Sequence, residues 1–315
     1  MSRFASRITE PRFPATAIGL EKGMASVVHV ERASGKTCTI RRAATFSLSD
    51  TIVRPSFDEQ NIGNPQQLAE ILKELAISAG LLKQKRWSLS LPADTTRTVV
   101  LTLEGQAQSG AELQDILKWK MERGFGTTLD ELSISKERLQ KDPQGRDRYL
   151  VVAVNRSILA EYESVIHSLN WRVGLVMPRQ LGESRWLMRN GGFAGDSLLV
   201  SSGEHGFTAV FLRGNHPLIV RTVTCNDDEC EDEFYRLLLF YRDRNSATDS
   251  QTSQLSRMMV IGQSLPKERA GSIVRETMGI DLTPLEAEDL GLTLPGRDLS
   301  FDVVAAPAGL ATMSL

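Results

Sequence analysis

The residue types that carry out chemistry are all present in this sequence, but they are not spaced to work together. The four histidines, His29, His167, His205 and His216, are scattered singly. None has the H-x3-H or H-E-x2-H spacing that brings two side chains to one metal or one base. Gly262-Gln263-Ser264-Leu265-Pro266 matches half of a nucleophile elbow, but Pro266 stands where the second glycine is required, so no hydrolase is indicated. Neither a G-x4-G-K-[ST] loop nor a G-x-G-x2-G turn after a strand occurs, so no P-loop or dinucleotide fingerprint is present. Cys225 and Cys230 form a lone C-x4-C without a second pair, a poor zinc motif. With Cys38 they read as free, reduced thiols of a cytosolic protein. Asp227, Asp228, Glu229, Glu231, Asp232 and Glu233 read as an acidic helix start that complements the macrodipole, not as a metal site.

What remains is chemistry done by the backbone. Ala17–Leu20 and Ser26–Val30 flank a turn carrying Lys22 and Gly23, the pattern of a β-hairpin, and a second hairpin of similar design spans residues 196–212. Backbone N–H groups in such turns can cradle an anion without help from a special side chain.

The elements around these hairpins repeat. Residues 37–48 read as a third strand. Asn64 caps a helix with Pro65 in its first turn and Leu68, Ile71, Leu72, Leu75 and Leu82 along one stripe, and Gly80 ends it. Arg86–Leu91 is a fourth strand. After the second hairpin come a third strand at 217–223, a helix opening at Asn226 and running to Arg242 and Arg244, and a strand at 257–261. Between the halves lies a strand-helix-strand-strand-helix unit. It has a strand at 97–103, a helix at 110–123 capped by Ser109, a segment at 138–149 containing the turn Asp142–Gly145, a strand at 148–154 and a helix at 157–169 capped by Asn155. A returning strand at 171–177 and a helix at 179–189 follow. Asn190–Gly195, with three glycines in six residues, reads as the linker. Residues 246–256 read as an exposed loop, 267–278 as a helix and 306–312 as a final small-residue helix.

Composition sets the limits. With 315 residues the chain suits two domains; it has 41% hydrophobic and 24% charged residues and a formal net charge of −2. That charge leaves no footprint for nucleic acid. No apolar run approaches the ~18–20 residues that cross a bilayer, and the N-terminus lacks the apolar core of a signal peptide. A cytoplasmic location is expected.

Two strand-strand-strand-helix-strand halves, each opening on a glycine-bearing hairpin, resemble the actin-like ATPases, whose two hairpins grip nucleotide phosphates across a cleft. Within that superfamily the chain is similar to the PilM family, the cytoplasmic actin-like component of the type IV pilus inner-membrane platform. Residues 18–31 resemble that family's opening phosphate loop. Residues 112–125, followed by Leu129-Asp130-Glu131, resemble the helix of its inserted subdomain and the segment after it. Residues 151–162 with 171–181 resemble the next strand-helix-strand, and 306–311 the final helix.

The resemblance implies an α/β, actin-like (ribonuclease H-like) two-domain fold. Residues 1–190 would form the first domain, with an inserted α+β subdomain at about 95–169, and residues 191–315 the second. It places Glu21, Lys22, Gly23 and Met24 of the first hairpin, Ser201, Gly203 and Glu204 of the second, and Gly262 and Gln263 around a nucleotide cleft, with ATP and magnesium as the family's cofactors. Three departures matter. Glu21 replaces an aspartate that helps hold magnesium, Ser201 replaces the aspartate of the second hairpin, and Gly262-Gln263 replaces paired glycines near the adenosine. Metal-assisted phosphoryl transfer needs positioned metal and charge. The expectation is therefore a degenerate cleft with no catalytic residue and no metal ligand.

The implied partners are the N-terminal peptide of a PilN-type bitopic membrane protein and other pilus platform proteins, with no nucleic acid and no direct membrane insertion. The peptide would lie in a groove between the first domain and its insert, where Val99, Leu101, Trp119 and Val152 are candidates, though core packing also suits them. Such a protein would be peripheral to the inner membrane through its partners. Two alternatives stand beside this scaffold: an active actin-like ATPase or related small-molecule kinase, and the cytoplasmic half of a type II secretion platform protein of the same fold.

Overall fold

The computed structural model of the chain describes residues 12–104, 109–189, 195–203, 205–246, 254–296 and 299–315. The first hairpin is β1 (Thr16–Glu21) and β2 (Met24–Arg32), antiparallel and closed by the Lys22-Gly23 turn, where Gly23 takes a left-handed φ of +73°. β3 (Cys38–Ser47) adds antiparallel to β2. Helix α1 (Pro65–Ser78) follows. Asn64 accepts the Gln67 N–H at 3.0 Å as its cap, a contact worth about 1 kcal/mol, and Pro65 opens the first turn as expected. Leu68, Ile71, Leu72 and Leu75 face inward, but Leu82 does not: the helix has already ended, the chain reverses at Gly80 (φ +66°), and Leu82 is exposed while Leu81 is buried. β4 (Arg86–Leu91) runs parallel to β1, with Ile18 opposite Leu89.

A separate three-stranded sheet follows. β5 (Arg97–Thr102), β6 (Leu132–Leu139) and β7 (Arg148–Asn155) form an antiparallel sheet in the order β5-β7-β6, and α2 (Gly110–Phe125) packs Leu117, Met121 and Phe125 in one core with Tyr149 and Val151 of β7. Phe57, from the loop before α1, completes that small core. Helix α3 (Arg156–Ser168), which the sequence pattern groups with this unit, packs elsewhere. Its Ile158, Tyr162, Val165 and Ile166 join Leu68 and Leu72 of α1 in the core of the first sheet. β8 (Arg172–Pro178) then pairs parallel with β4, and α4 (Arg179–Arg189) leads away.

The second half repeats the first. β9 (Asp196–Gly203), β10 (Gly206–Arg213) and β11 (His216–Thr224) form an antiparallel run, α5 (Cys230–Ser246) crosses, and β12 (Leu255–Ile261) returns parallel to β9. The order β11-β10-β9-β12 reproduces β3-β2-β1-β4. Two local readings are corrected here. α5 begins at Cys230, not Asn226, because Asn226–Glu229 is spent on a turn in which Asn226 N–H meets Glu229 Oε2 at 3.2 Å. β12 starts at Leu255, inside the expected loop, of which residues 247–253 lie outside the described residues. Of the expected linker, residues 190–194 also lie outside them.

α6 (Lys267–Met278) matches its expected span, and β13 (Leu292–Thr293) adds to the far edge of the first sheet beside β3. The last helix, α7 (Phe301–Ala311), starts five residues before the expected Ala306 and carries Pro307 in its interior. α7 and α4 lie between the two sheets. Trp186 and Leu187 of α4 and Val304, Ala308 and Leu310 of α7 pack with Ala17, Val28 and Val30 on one side and Leu199, Val210, Met259 and Ile261 on the other. Close approach of the two helices needs glycine, since a Cβ on Gly182 would lie 2.7 Å from the Ala306 carbonyl oxygen. Trp186 Nε1–H donates to the Ala305 carbonyl at 2.7 Å. No helix of the described residues is long and apolar enough to cross a membrane.

Candidate functional site: the cleft between the hairpins

The parallel arrangement of β1 beside β4 and β9 beside β12 brings the ends of both hairpins to the same side of the molecule. Between them lies a cleft of about 510 Å³. Of the residues expected there, Glu21, Lys22, Met24, Gly203, Gly262 and Gln263 line it. Gly23 forms the turn apex behind this lining. Ser201 is buried and lines a neighbouring depression of about 600 Å³ with Phe57, Arg97, His205, Thr208 and Thr222, while Ser202 and not Ser201 lines the cleft. Successive strand side chains point to opposite faces, so one residue of register decides which pocket a serine reaches. Glu204 lies outside the described residues.

Gly262 follows β12 at φ +98°, and a Cβ there would lie 2.8 Å from the Ser202 Cβ, so the turn after β12 presses directly on the second hairpin. Its N–H bonds the Asp302 carboxylate in the first turn of α7. Burial raises the pKa of Asp302, opposed by Lys267, this N–H and Arg179. Buried Ser202 Oγ has no hydrogen-bond partner among the described residues, which leaves a donor at the cleft wall.

The sequence reading did not anticipate Arg179, the first residue of α4. Its Nε–H donates to Glu183 Oε1 at 2.7 Å and its Nη1–H to Glu21 Oε2 at 3.3 Å. Glu183 is fully buried, and its second oxygen has no hydrogen-bond partner among the described residues. Burial raises the Glu21 pKa to about 7; Arg179 opposes that shift, while Glu183 and Asp94 reinforce it. The two carboxylates hold the Arg179 proton more tightly than usual despite burial. The i, i+4 spacing of Arg179 and Glu183 was the only trace of this pair in the sequence. Nothing local announced Glu21 as the third member.

These donors do not fit a magnesium ion. Mg²⁺ demands oxygen ligands in near-octahedral array, usually including one or two carboxylates. Among the described residues, the cleft-lining carboxylate of the first hairpin is engaged by a guanidinium, the second hairpin offers the neutral Ser202, and no group of three His, Cys, Asp or Glu could hold a metal. A phosphate group fits better. The Ser202 hydroxyl and Lys22, whose Nζ lies 3.9 Å from Asp50, supply side-chain donors, and glycine at 203 leaves the backbone open to close approach.

The third sheet closes on the second through Arg148 of β7. This buried guanidinium donates from Nη2 to the Pro217 carbonyl at 3.3 Å and to that of Leu218 in β11. Of the groove candidates, Val99 and Leu101 pack against the small core and Val152 is half-buried, while Trp119 is 57% exposed with Arg123 stacked 5.4 Å over its ring.

No protein-family model matches the chain, and no curated protein matches it in sequence. Solved structures do. A chain of the PilM–PilN type IV pilus biogenesis complex is similar over 96% of this chain and 99% of its own, with 15% identity and a TM-score of 0.68. The cytoplasmic domain of EpsL, an inner-membrane component of the type II secretion system of Vibrio cholerae, covers 95% of each chain at 13% identity, TM-score 0.48. A protein of Bacteroides thetaiotaomicron with an actin-like ATPase fold and unknown function covers 99% of each chain at 14% identity, TM-score 0.46. The chain thus has the expected PilM-like, actin-like fold.

Proposed function

We propose that the protein is a cytoplasmic scaffold of a type IV pilus or related secretion inner-membrane platform. It is held at the membrane by binding the N-terminal peptide of a PilN-type bitopic partner and by contacts with other platform proteins. Residues 1–190, with an inserted unit built on the sheet β5-β7-β6 and ending near Asn155, and 191–315 form its two domains. The single observation that supports this reading is the likeness, nearly end to end on both chains, to a chain solved as part of a PilM–PilN complex. The peptide occupies the junction of the first domain and the insert, where exposed Trp119 is the candidate anchor.

The cleft is a degenerate nucleotide site, lined by Glu21, Lys22, Met24, Gly203, Gly262 and Gln263. It has no catalytic residue, and the Arg179–Glu21 ion pair argues against an active ATPase or small-molecule kinase. Isothermal titration of the full chain with a synthetic peptide of the partner's cytoplasmic N-terminus tests the scaffold reading. Saturable binding weakened about tenfold or more by Trp119→Ala supports it. Absence of heat with the wild-type protein, confirmed by pull-down, defeats it.

A further inference from the structure

We infer that the Arg179 guanidinium takes the place of the divalent cation in this cleft, so that a nucleotide or other polyphosphate is bound there without a metal ion. The phosphate half of this inference rests on the nucleotide-cleft reading; the metal half stands on the geometry alone.

A cation must be fixed before it can replace a metal, and Arg179 is fixed from three directions. It begins α4 directly after Pro178 ends β8, so its Cα is set by the junction of a sheet and a buried helix. That helix is clamped to α7 by the Gly182 contact and by the Trp186–Ala305 hydrogen bond. Its Nε is held by Glu183, a fully buried carboxylate with which Arg179 forms an ion pair. If the guanidinium swung away to admit an ion, Glu183 would be left as a buried, unpaired charge, which strongly disfavours that movement. A divalent ion at Glu21 would therefore approach a positive charge that can neither leave nor lose its proton, since arginine stays protonated in proteins.

The remaining lining carries acids at Glu21, Asp94 and Asp302 against bases at Lys22 and Arg179. Without Arg179 that surface would be an acidic pocket suited to a divalent ion. With it, the charges are nearly balanced and the task of meeting phosphate falls to Arg179, Lys22, Ser202 and backbone N–H groups. Arginine suits the role because its planar fork matches phosphate oxygens and is only weakly hydrated.

The test has two arms, both on the full chain. In the first, Mn²⁺ alone is titrated and followed by electron paramagnetic resonance. The wild-type protein and Arg179→Lys are expected to show no site sensitive to Glu21→Gln. Arg179→Gln is expected to gain one bound Mn²⁺, lost again in the double variant with Glu21→Gln. A wild-type Mn²⁺ site that disappears in Glu21→Gln overturns the inference even if Arg179→Gln fails to fold, and so does a folded Arg179→Gln that binds no Mn²⁺.

In the second arm, ATP is titrated in EDTA and in Mg²⁺. Dissociation constants within about threefold of each other are expected, and tightening of about tenfold or more by Mg²⁺, some 1.4 kcal/mol, overturns the inference while leaving the nucleotide reading intact. No ATP binding in either buffer removes the nucleotide reading and the phosphate half with it, and the Mn²⁺ arm then decides the metal half alone.

Discussion

Arg213 holds Asp196 through two parallel hydrogen bonds, Nε to Oδ1 and Nη2 to Oδ2, each 2.8 Å long. Asp196 opens β9 and is fully buried; Tyr241 adds a third bond from its hydroxyl at 2.7 Å, its ring stacked on Phe211 at 4.3 Å. The pair ties the start of the second hairpin to its end and to α5. Replacing Arg213 with methionine leaves that carboxylate without its counter-charge. Such truncations cost about 3–5 kcal/mol in a dry interior, and the 42% exposure of the Arg213 side chain reduces the expectation to about 2 kcal/mol. Urea unfolding of Arg213→Met would show the loss, and an unchanged midpoint would refute it.

The crossing of α4 and α7 gives a second expectation. A methyl group on Gly309 would overlap the carbonyl of Gly182 and lie 3.3 Å from Trp186 Nε1. Alanine gains about 1 kcal/mol of helix propensity over glycine, but overpacking of this kind costs about 1–3 kcal/mol. Gly309→Ala should therefore be destabilised, whereas Gly124→Ala, inside α2 with no atom near its Cβ position, should not. Thermal unfolding of the two variants side by side separates propensity from packing.

Glu21 makes stability depend on pH. Its pKa rises from 4.5 to about 7 on folding, so between these values the folded state holds more protons than the unfolded one. Stability from this group is fully present below about pH 4.5, falls as pH rises, and levels off above about pH 7, a change on the order of 2 kcal/mol. Glu21→Gln stays neutral and lacks that slope. The difference in melting temperature, variant minus wild type, should grow from about pH 5 to about pH 8. Parallel profiles would contradict the raised pKa.

Cys225 and Cys230, both free thiols, bring their sulfurs to 2.8 Å where β11 passes into α5, while Cys38 is buried far along the chain. Burial and the neighbouring thiol push Cys230 up to about 12, so Cys230 reacts slowly at neutral pH. With oxidised glutathione under mildly alkaline conditions, the Cys225 thiolate should displace one glutathione and Cys230 the second, leaving an internal disulfide. Mass spectrometry should then show a loss of two hydrogens, with Cys38 alone alkylated after denaturation. Persistent glutathione adducts at both positions would count against the geometry.

The hairpins were legible because alternation and a glycine turn are local signals: Ile18, Leu20, Val27 and Gly23 lie where the pattern puts them. α1 was legible to its end and no further. Helical phase has no meaning past Gly80, so Leu82 was counted on a face that no longer existed, and Leu81 was the buried residue. α7 is buried nearly all round, so no amphipathic period marks Phe301 as its start. β13 is two residues long, too short to carry any period. The turn residues of the cleft came from the sequence. Arg179, Ser202 and Asp302 meet them only after four strands and two helices have packed, and no spacing rule links positions 21, 179 and 302.

The helices α4 and α7 are shared by both sheets, and this sharing limits how the molecule can come apart. The strand order of each half is a copy of the other, as if either could stand alone. Yet a fragment carrying one sheet would present to water the apolar face that Trp186, Val304 and Leu310 now cover from the other side. The two copied halves are therefore expected to come apart together, in one unfolding transition rather than two.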